Sequence, residues 1–222
     1  MGFFDINSPF MRSMAKVADI IILNFLFMLC CIPVITIGPA ITALYSVTMK
    51  LVRDEEGGIV KEFFSSFRLN LKQGIVIHIL FLVIAFVLFV DIWFVLFSVT
   101  DHGAMTYILF AVSAFAAVMA VMTLLYVYPV LAKFDNPTGK TLQIALSLAI
   151  RHLPTTCILA VLTAIPIVAV LIPNEAIISF LFLMLICGFS ALALAQSFFL
   201  RKVFDRYIPQ PNHENAMDEV HT

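Results

Sequence analysis

The sequence has few charged residues. Asp, Glu, Lys and Arg together make up 12% of its 222 residues, whereas apolar residues make up 62%. Its mean hydropathy of +1.06 is far above that of a chain with one soluble core to bury. Several apolar runs exceed the roughly 18 residues at which a membrane span becomes the expected structure. The composition therefore excludes a soluble globular protein and predicts an integral membrane protein.

The apolar runs show no alternation of apolar and polar residues with a period of two. Such alternation is what a membrane β-barrel requires, since its strands face lipid and lumen in turn. Without it, each backbone group within the bilayer must find its hydrogen bond inside its own helix. The 22 phenylalanines also suit lipid-facing helices. We predict an all-α, polytopic membrane protein with five to six membrane segments.

Motifs for chemistry are also missing. A net charge of −1 indicates no nucleic-acid partner. No nucleophile elbow, HExxH motif or Walker loop occurs, so we expect no enzyme and no cofactor. The cysteines lie within apolar runs without the spacing typical of a metal site, and we interpret them as small buried side chains: Cys30, Cys31, Cys157 and Cys187.

Four apolar runs are long enough to be read as membrane spans, and they form two hairpins. The first hairpin comprises 74–99 and 104–131 around a turn at 100–103, and the second comprises 154–172 and 175–200 around Pro173 and Asn174. Neither turn contains Lys or Arg. Pro166 predicts a kink in the third of these spans.

An earlier apolar stretch, 17–52, is interrupted by Pro33 and by the pair Gly38 and Pro39. Because proline disfavours a helix interior, we interpret this stretch as two limbs, 17–35 and 39–52. The second limb would rise only about 21 Å, short of a bilayer core of roughly 30 Å. It is predicted as a thin crossing or a re-entrant limb.

The positions of the basic residues predict the orientation, because Lys and Arg near span ends stay cytoplasmic. A crossing and a short return over 17–52 place all thirteen Lys and Arg inside. We therefore predict six segments with both termini in the cytoplasm of a plasma membrane protein, and five spans with an outside N-terminus as the alternative. Residues 1–208 are expected to form one membrane domain and 209–222 a polar cytoplasmic tail.

Cytoplasmic amphipathic helices are predicted before each hairpin, so that the chain consists of three units of an amphipathic helix and a hairpin. The first begins at Ser8 and Pro9, typical of an N-cap and first helical position. Anchoring at the membrane surface and docking onto a partner both remain open. The basic residues of the predicted polar faces are Arg12, Lys16, Lys61, Arg68, Lys72 and Arg151.

Few strongly polar groups lie within the spans. Asp91, Asn24 and Gln196 are the candidates for an intramembrane polar site, since a carboxylate at the bilayer centre costs about 2.5–3.5 kcal/mol without a partner or water. The alternative for Asp91 is a carboxyl group close to the outer interface beside Trp93. His78 is interpreted as a hydrogen-bonded histidine near the inner interface.

Three stretches resemble one family. The segment 36–45, with its Gly-Pro-Ala-x-Thr-Ala-x-Tyr pattern, the segment 63–73, and residues 132–136 together with 151–154 are similar to the YesL family of Gram-positive bacterial membrane proteins of unknown function. The resemblance covers nearly the whole chain and supplies no catalytic residues. It implies an association with carbohydrate ABC importers and with two-component sensors.

The same 36–45 segment combines small residues and hydroxyl groups, a composition that lets helices approach closely in lipid. It predicts either an interface with a partner or a self-packing hairpin. We expect a non-enzymatic accessory subunit of a carbohydrate ABC importer, with a membrane signalling component or a small independent transporter as alternatives. Homo-oligomerisation is left open. The candidate interface residues are Gly38, Pro39, Ala40, Thr42, Ala43 and Tyr45.

Overall fold

The computed structural model describes residues 9–53, 55, 57–97, 104–171 and 177–207, all of them helical or in short connections. Ser8, both predicted hairpin turns and the 209–222 tail lie outside these residues, as does the side chain of Arg12. The described residues form nine α-helices with a 3-10 turn at Val34–Thr36 and a π-helical segment at Met184–Gly188. The α-helices are α1 Pro9–Cys30, α2 Ile37–Val52, α3 Ile59–Leu69, α4 Leu71–Phe97, α5 Ala104–Lys133, α6 Thr138–Arg151, α7 Leu153–Leu171, α8 Ile177–Leu183 and α9 Phe189–Phe204.

The all-α membrane fold is confirmed. Five helical stretches of the described chain are long and apolar enough to cross a membrane. Four of them match the predicted spans to within a few residues, because long apolar runs leave little choice of structure. Those four are Leu71–Val95, Ala104–Lys133, Leu153–Leu171 and Ile177–Phe204, and the fifth is Val34–Val52.

The helix break in the N-terminal stretch is only partly where the sequence predicts it. The chain leaves α1 after Cys30, and Pro33 precedes the 3-10 turn, as expected. Gly38 and Pro39, however, lie in the first turn of α2 and do not interrupt a helix. A proline is tolerated there because the first N–H groups of a helix have no intrahelical partner. The predicted N-terminal amphipathic helix is also not separate, since α1 runs continuously from Pro9.

One end of the bundle, which we call the basic end, gathers the start of α4 and the ends of α5 and α9. Gln73 on α4 donates a hydrogen bond of 2.8 Å to the carbonyl oxygen of Asn136, just after α5. The rings of Phe134 and Phe204 meet edge to face at 5.6 Å, which brings the end of α9 to the same place. Four basic residues from three helices surround a cavity there: Lys50, Arg53, Lys133 and Arg201.

Helix α2 contacts α4 at its start and reaches the basic end at its C-terminus. At its start, Gly38 packs against Gly74 in the first turn of α4. At its end, Arg53 forms an ion pair of 2.5 Å with Asp205, just after α9. Residues 34–52 are also long and apolar enough to span a membrane, so the short second segment predicted from the sequence stays a candidate span.

The amphipathic helices α3 and α6 fold back onto the chain itself. The Phe63 side chain of α3 is fully buried, and Lys50 on α2 forms an ion pair of 3.3 Å with Glu62 beside it. On α6, Ala145 and Ala149 are fully buried in the cluster that contains Tyr126 of α5. The two apolar faces therefore pack largely on neighbouring helices, and the expected anchoring of these faces in lipid is correspondingly reduced.

The two hairpins are packed together in their basic halves and are nearly free elsewhere. Tyr126, Phe204, Leu200 and Leu159 are buried in one cluster near the basic end. Farther from the basic end, the side chains are mostly exposed. Among the described side chains, Val95 is the one that is buried in 82–97, and Ser113 is the one that is buried in 104–121. The far halves of α4 and α5 thus have apolar surfaces open on most sides.

Candidate functional site

The three polar residues predicted as one intramembrane site occupy three separate places. Asn24 lies against the π-helical segment, Gln196 lies between α2 and α7, and Asp91 lies between α4 and α5. None of the three is bonded to another. The structure therefore offers no single polar cavity formed by these residues.

Asn24 is fully buried, and its amide connects α1 to the π-helical segment. Its Nδ2 donates to the carbonyl oxygens of Met184 at 3.3 Å and Leu185 at 2.7 Å, and its Oδ1 accepts from the backbone N–H of Ser190 at 3.1 Å. A π-helical segment disturbs the regular hydrogen-bond ladder, and side chains often satisfy the groups it frees. Asn24 serves as an internal cap for this irregular turn.

A second polar cluster joins α2, α7 and α9. The Tyr45 hydroxyl group donates a short hydrogen bond to Oε1 of Gln196, whose Nε2 donates to the Thr163 hydroxyl group at 2.8 Å. The hydroxyl groups of Thr48 and Ser197 are 2.8 Å apart. Ser190 and Ser197 were not predicted as part of a polar site. They are seven residues, or two helical turns, apart on the helix that carries Gln196, and this spacing indicates a polar face.

Asp91 has a partner on the neighbouring helix, because Ser113 of α5 donates a short hydrogen bond to its carboxylate. This pair ties α4 to α5 in the half that is otherwise loosely packed. His78, at the opposite end of α4, lies 3.1 Å from the Tyr128 hydroxyl group through Nδ1. Both residues therefore bridge the two helices of one hairpin, in agreement with the hydrogen-bonded role predicted for His78.

The segment proposed as a partner interface is used inside the chain. Gly38, Pro39, Ala40, Thr42 and Ala43 are buried, and Tyr45 is held by Gln196. A Cβ atom on Gly38 would collide with the Gly74 carbonyl oxygen and lie 2.8 Å from the His78 Cβ. Self-packing, the alternative left open by the sequence, is what the structure shows, with α4 and α9 in place of a partner.

The described residues predicted to form basic faces are mostly exposed. Lys61, Arg68, Lys72 and Arg151 are exposed, while Lys16 is partly buried. Among the predicted basic-face residues, Arg12 is the one whose side chain lies outside the described part of the chain. The other five belong to α1, α3, α4 and α6.

No metal centre appears in the part of the chain that the structure describes, where no three His, Cys, Asp or Glu side chains come together. All four cysteines are free. The polar groups described within the bundle form buried bridges between helices.

An aromatic stripe is the most conspicuous exposed feature in the far half of the α4–α5 hairpin. Its members are Phe89, Trp93 and Phe97 of α4, with successive ring centroids 6.0 and 4.4 Å apart. Each is more than half exposed. The stripe faces away from the rest of the chain, so lipid or another membrane protein must cover it.

One protein family resembles part of the chain. Residues 20–92, about a third of the chain, match the family described as "Protein of unknown function, DUF624". The matched segment begins within α1 and ends within α4, so it includes α2, α3 and the contact between Gly38 and Gly74. No curated protein and no solved structure matches the chain.

Proposed function

We propose that this protein is a non-enzymatic accessory subunit that packs beside the permease helices of a carbohydrate ABC importer in the cell membrane of a Gram-positive bacterium. The importer is proposed because the sequence resembles the YesL family, which is associated with such importers. The structural observation that supports an accessory role is the exposed far half of the α4–α5 hairpin. Its aromatic stripe offers a large, rigid surface for helix packing.

A transporter in its own right has less support. A transport path needs several polar groups around a shared cavity near the membrane centre, commonly at broken helices. Here Asn24, Gln196 and Asp91 are each bonded to a different neighbouring helix. Their polar atoms hold helices together in the resting structure.

The topology that we propose has five crossings, namely α1, α4, α5, α7 and the stretch from α8 to α9. The C-terminus is then in the cytoplasm and the N-terminus outside. Asn24 bonds to Met184, Leu185 and Ser190, about 20–30 Å along the helix from Phe204 at the basic end. The chain then contacts the first turn of α4 at Gly38. Helix α1 therefore runs toward the basic end, and its start points the other way. This arrangement leaves Arg12 and Lys16 outside, against the charge rule, and matches the alternative drawn from the sequence.

Labelling of single cysteines tests this topology. In a chain whose four cysteines are replaced by serine, we expect a membrane-impermeant maleimide added to intact cells to label Ser8→Cys but not Asn215→Cys. Permeabilisation should expose the second site. Protection of both sites in intact cells would show that both termini are cytoplasmic and would contradict the five crossings.

Co-purification tests the proposed partner. With a tag at the C-terminus and gentle extraction from native membranes, we expect the permease and ATPase subunits in stoichiometric amounts. The double substitution Trp93→Ala and Phe97→Ala should lower their recovery about tenfold, since aromatic anchors dominate such interfaces.

The matched control changes Ile165 and Val168 of α7, which are similarly exposed, to alanine. Recovery of the importer subunits should then stay within about twofold of the unmodified chain. If the chain is recovered alone while the importer is intact elsewhere, a stable accessory complex is ruled out.

A further inference from the structure

A groove runs along α6 at the basic end, between that helix and the end of α9. Its volume is about 460 Å³. The floor is apolar and is contributed by three segments of the chain: Phe134, Ile144, Leu148, Phe204 and Tyr207. An apolar floor at the end of the membrane spans can accommodate the upper part of an acyl chain.

One edge of the groove consists of hydrogen-bond donors. Lys140, Gln143, Ser147 and Arg151 follow one another at helical spacing along α6 and all line the groove. All four side chains can donate, and the two cations are about 16 Å apart along the helix with the amide and hydroxyl groups between them. None of the described residues that line the groove is acidic.

The two cations are available to a ligand. Both are exposed, and neither has an ion-pair partner among the described residues. In contrast, Arg53 and Arg201 in the adjacent cavity are both engaged by Asp205. The groove therefore presents two positive charges with no acidic partner among the described residues.

The position of Arg151 relates the groove to the membrane surface. Only His152 separates Arg151 from the first residue of α7, Leu153. A guanidinium group directly before a span lies near the level of lipid phosphates. Basic pockets beside spans on the cytoplasmic side recognise anionic headgroups in this way.

We propose that this groove binds one anionic glycerophospholipid, with its phosphate on the donor edge of α6 and its acyl chain on the floor formed by Phe134 and Phe204. The lipid fastens α6 to the end of α9 from the membrane side. This binding is independent of the proposed importer partner.

Lipid titration of the purified full chain tests the proposal. In a neutral detergent, phosphatidylglycerol should raise the melting temperature with a saturable dependence, and phosphatidylcholine should not. The double substitution Lys140→Gln and Arg151→Gln should weaken the apparent affinity for phosphatidylglycerol at least tenfold, since each cation near the surface is worth about fivefold.

The control removes the same charge elsewhere. Lys61→Gln with Arg68→Gln, on the exposed face of α3, should leave that affinity within about twofold. An equal loss in both double variants would indicate diffuse attraction and overturn the proposal. Displacement by millimolar inorganic phosphate would assign the groove to the free anion and also overturn it.

Residues 208–222 are the competing occupant, because they follow Tyr207 directly and include Glu214, Asp218 and Glu219. Removing them should leave the affinity for phosphatidylglycerol unchanged. A severalfold increase would show that this segment fills the groove in the full chain, and the lipid assignment would be wrong.

Discussion

Replacing Gly74 with alanine should destabilise the protein by about 2–3 kcal/mol. A Cβ atom at this position would lie 2.8 Å from the Pro39 backbone nitrogen and 2.9 Å from Pro39 Cγ. These neighbours belong to a backbone and a ring, which cannot rotate away. The helices α2 and α4 would have to separate, and the loss should appear as a lower melting temperature in mild detergent.

The chain provides a control and a consistency test for this prediction. At Gly139 in α6, a Cβ atom would meet nothing within 4 Å. Gly139→Ala should therefore be neutral or slightly stabilising, because alanine favours the helix. Gly38→Ala should resemble Gly74→Ala, and the double variant should cost less than the sum, since one separation relieves both clashes. Additive losses would show that these glycines do not share a contact.

Replacing Asn24 with alanine should cost about 2–3 kcal/mol. The substitution leaves the carbonyl oxygens of Met184 and Leu185 and the N–H group of Ser190 without their side-chain partner in apolar surroundings. The Ser190 hydroxyl group is already buried without a hydrogen bond among the described residues, so the site has no spare partner. Thermal unfolding in detergent measures the loss.

Asn70→Ala is the matched control for this loss. The Asn70 amide, directly after α3, donates to the Ser66 carbonyl oxygen at 3.0 Å, and Asn70 lines an open polar cavity near the basic end. Water can replace that bond, so we expect a cost below about 1 kcal/mol. Equal costs for Asn24→Ala and Asn70→Ala would contradict the role of Asn24 as the internal cap of the π-helical segment.

The spans were predictable because their signal is local. Runs such as 74–99 and 104–131 are so apolar that a helix of membrane length is the one structure that satisfies their backbone, and α4 and α5 follow them closely. The amphipathic patterns of α3 and α6 were equally visible. The sequence did not show what covers the apolar faces of these two helices, because a stripe of Phe or Ala can pack equally well on lipid or on another helix.

The path of α2 could not be read from local patterns. Gly38 and Pro39 suit a helix break and a helix start equally well, and the choice depends on Gly74, which is 36 residues away. The charge rule predicts a crossing and return over this stretch, but it counts basic residues and does not reveal the contact between Gly38 and Gly74. The Asn24 and Gln196 bridges were similarly hidden, because a polar residue in a span predicts a partner and does not name it.

Photo-crosslinking from the aromatic stripe tests the proposed accessory function most directly. A photoreactive amino acid at Phe89, irradiated in native membranes, should give a covalent adduct with an importer permease subunit, and one at Val168 of α7 should not. Adducts with the permease at Phe89 alone would support the α4–α5 hairpin as the partner surface. Adducts with lipid alone at both positions, with the importer present, would contradict it.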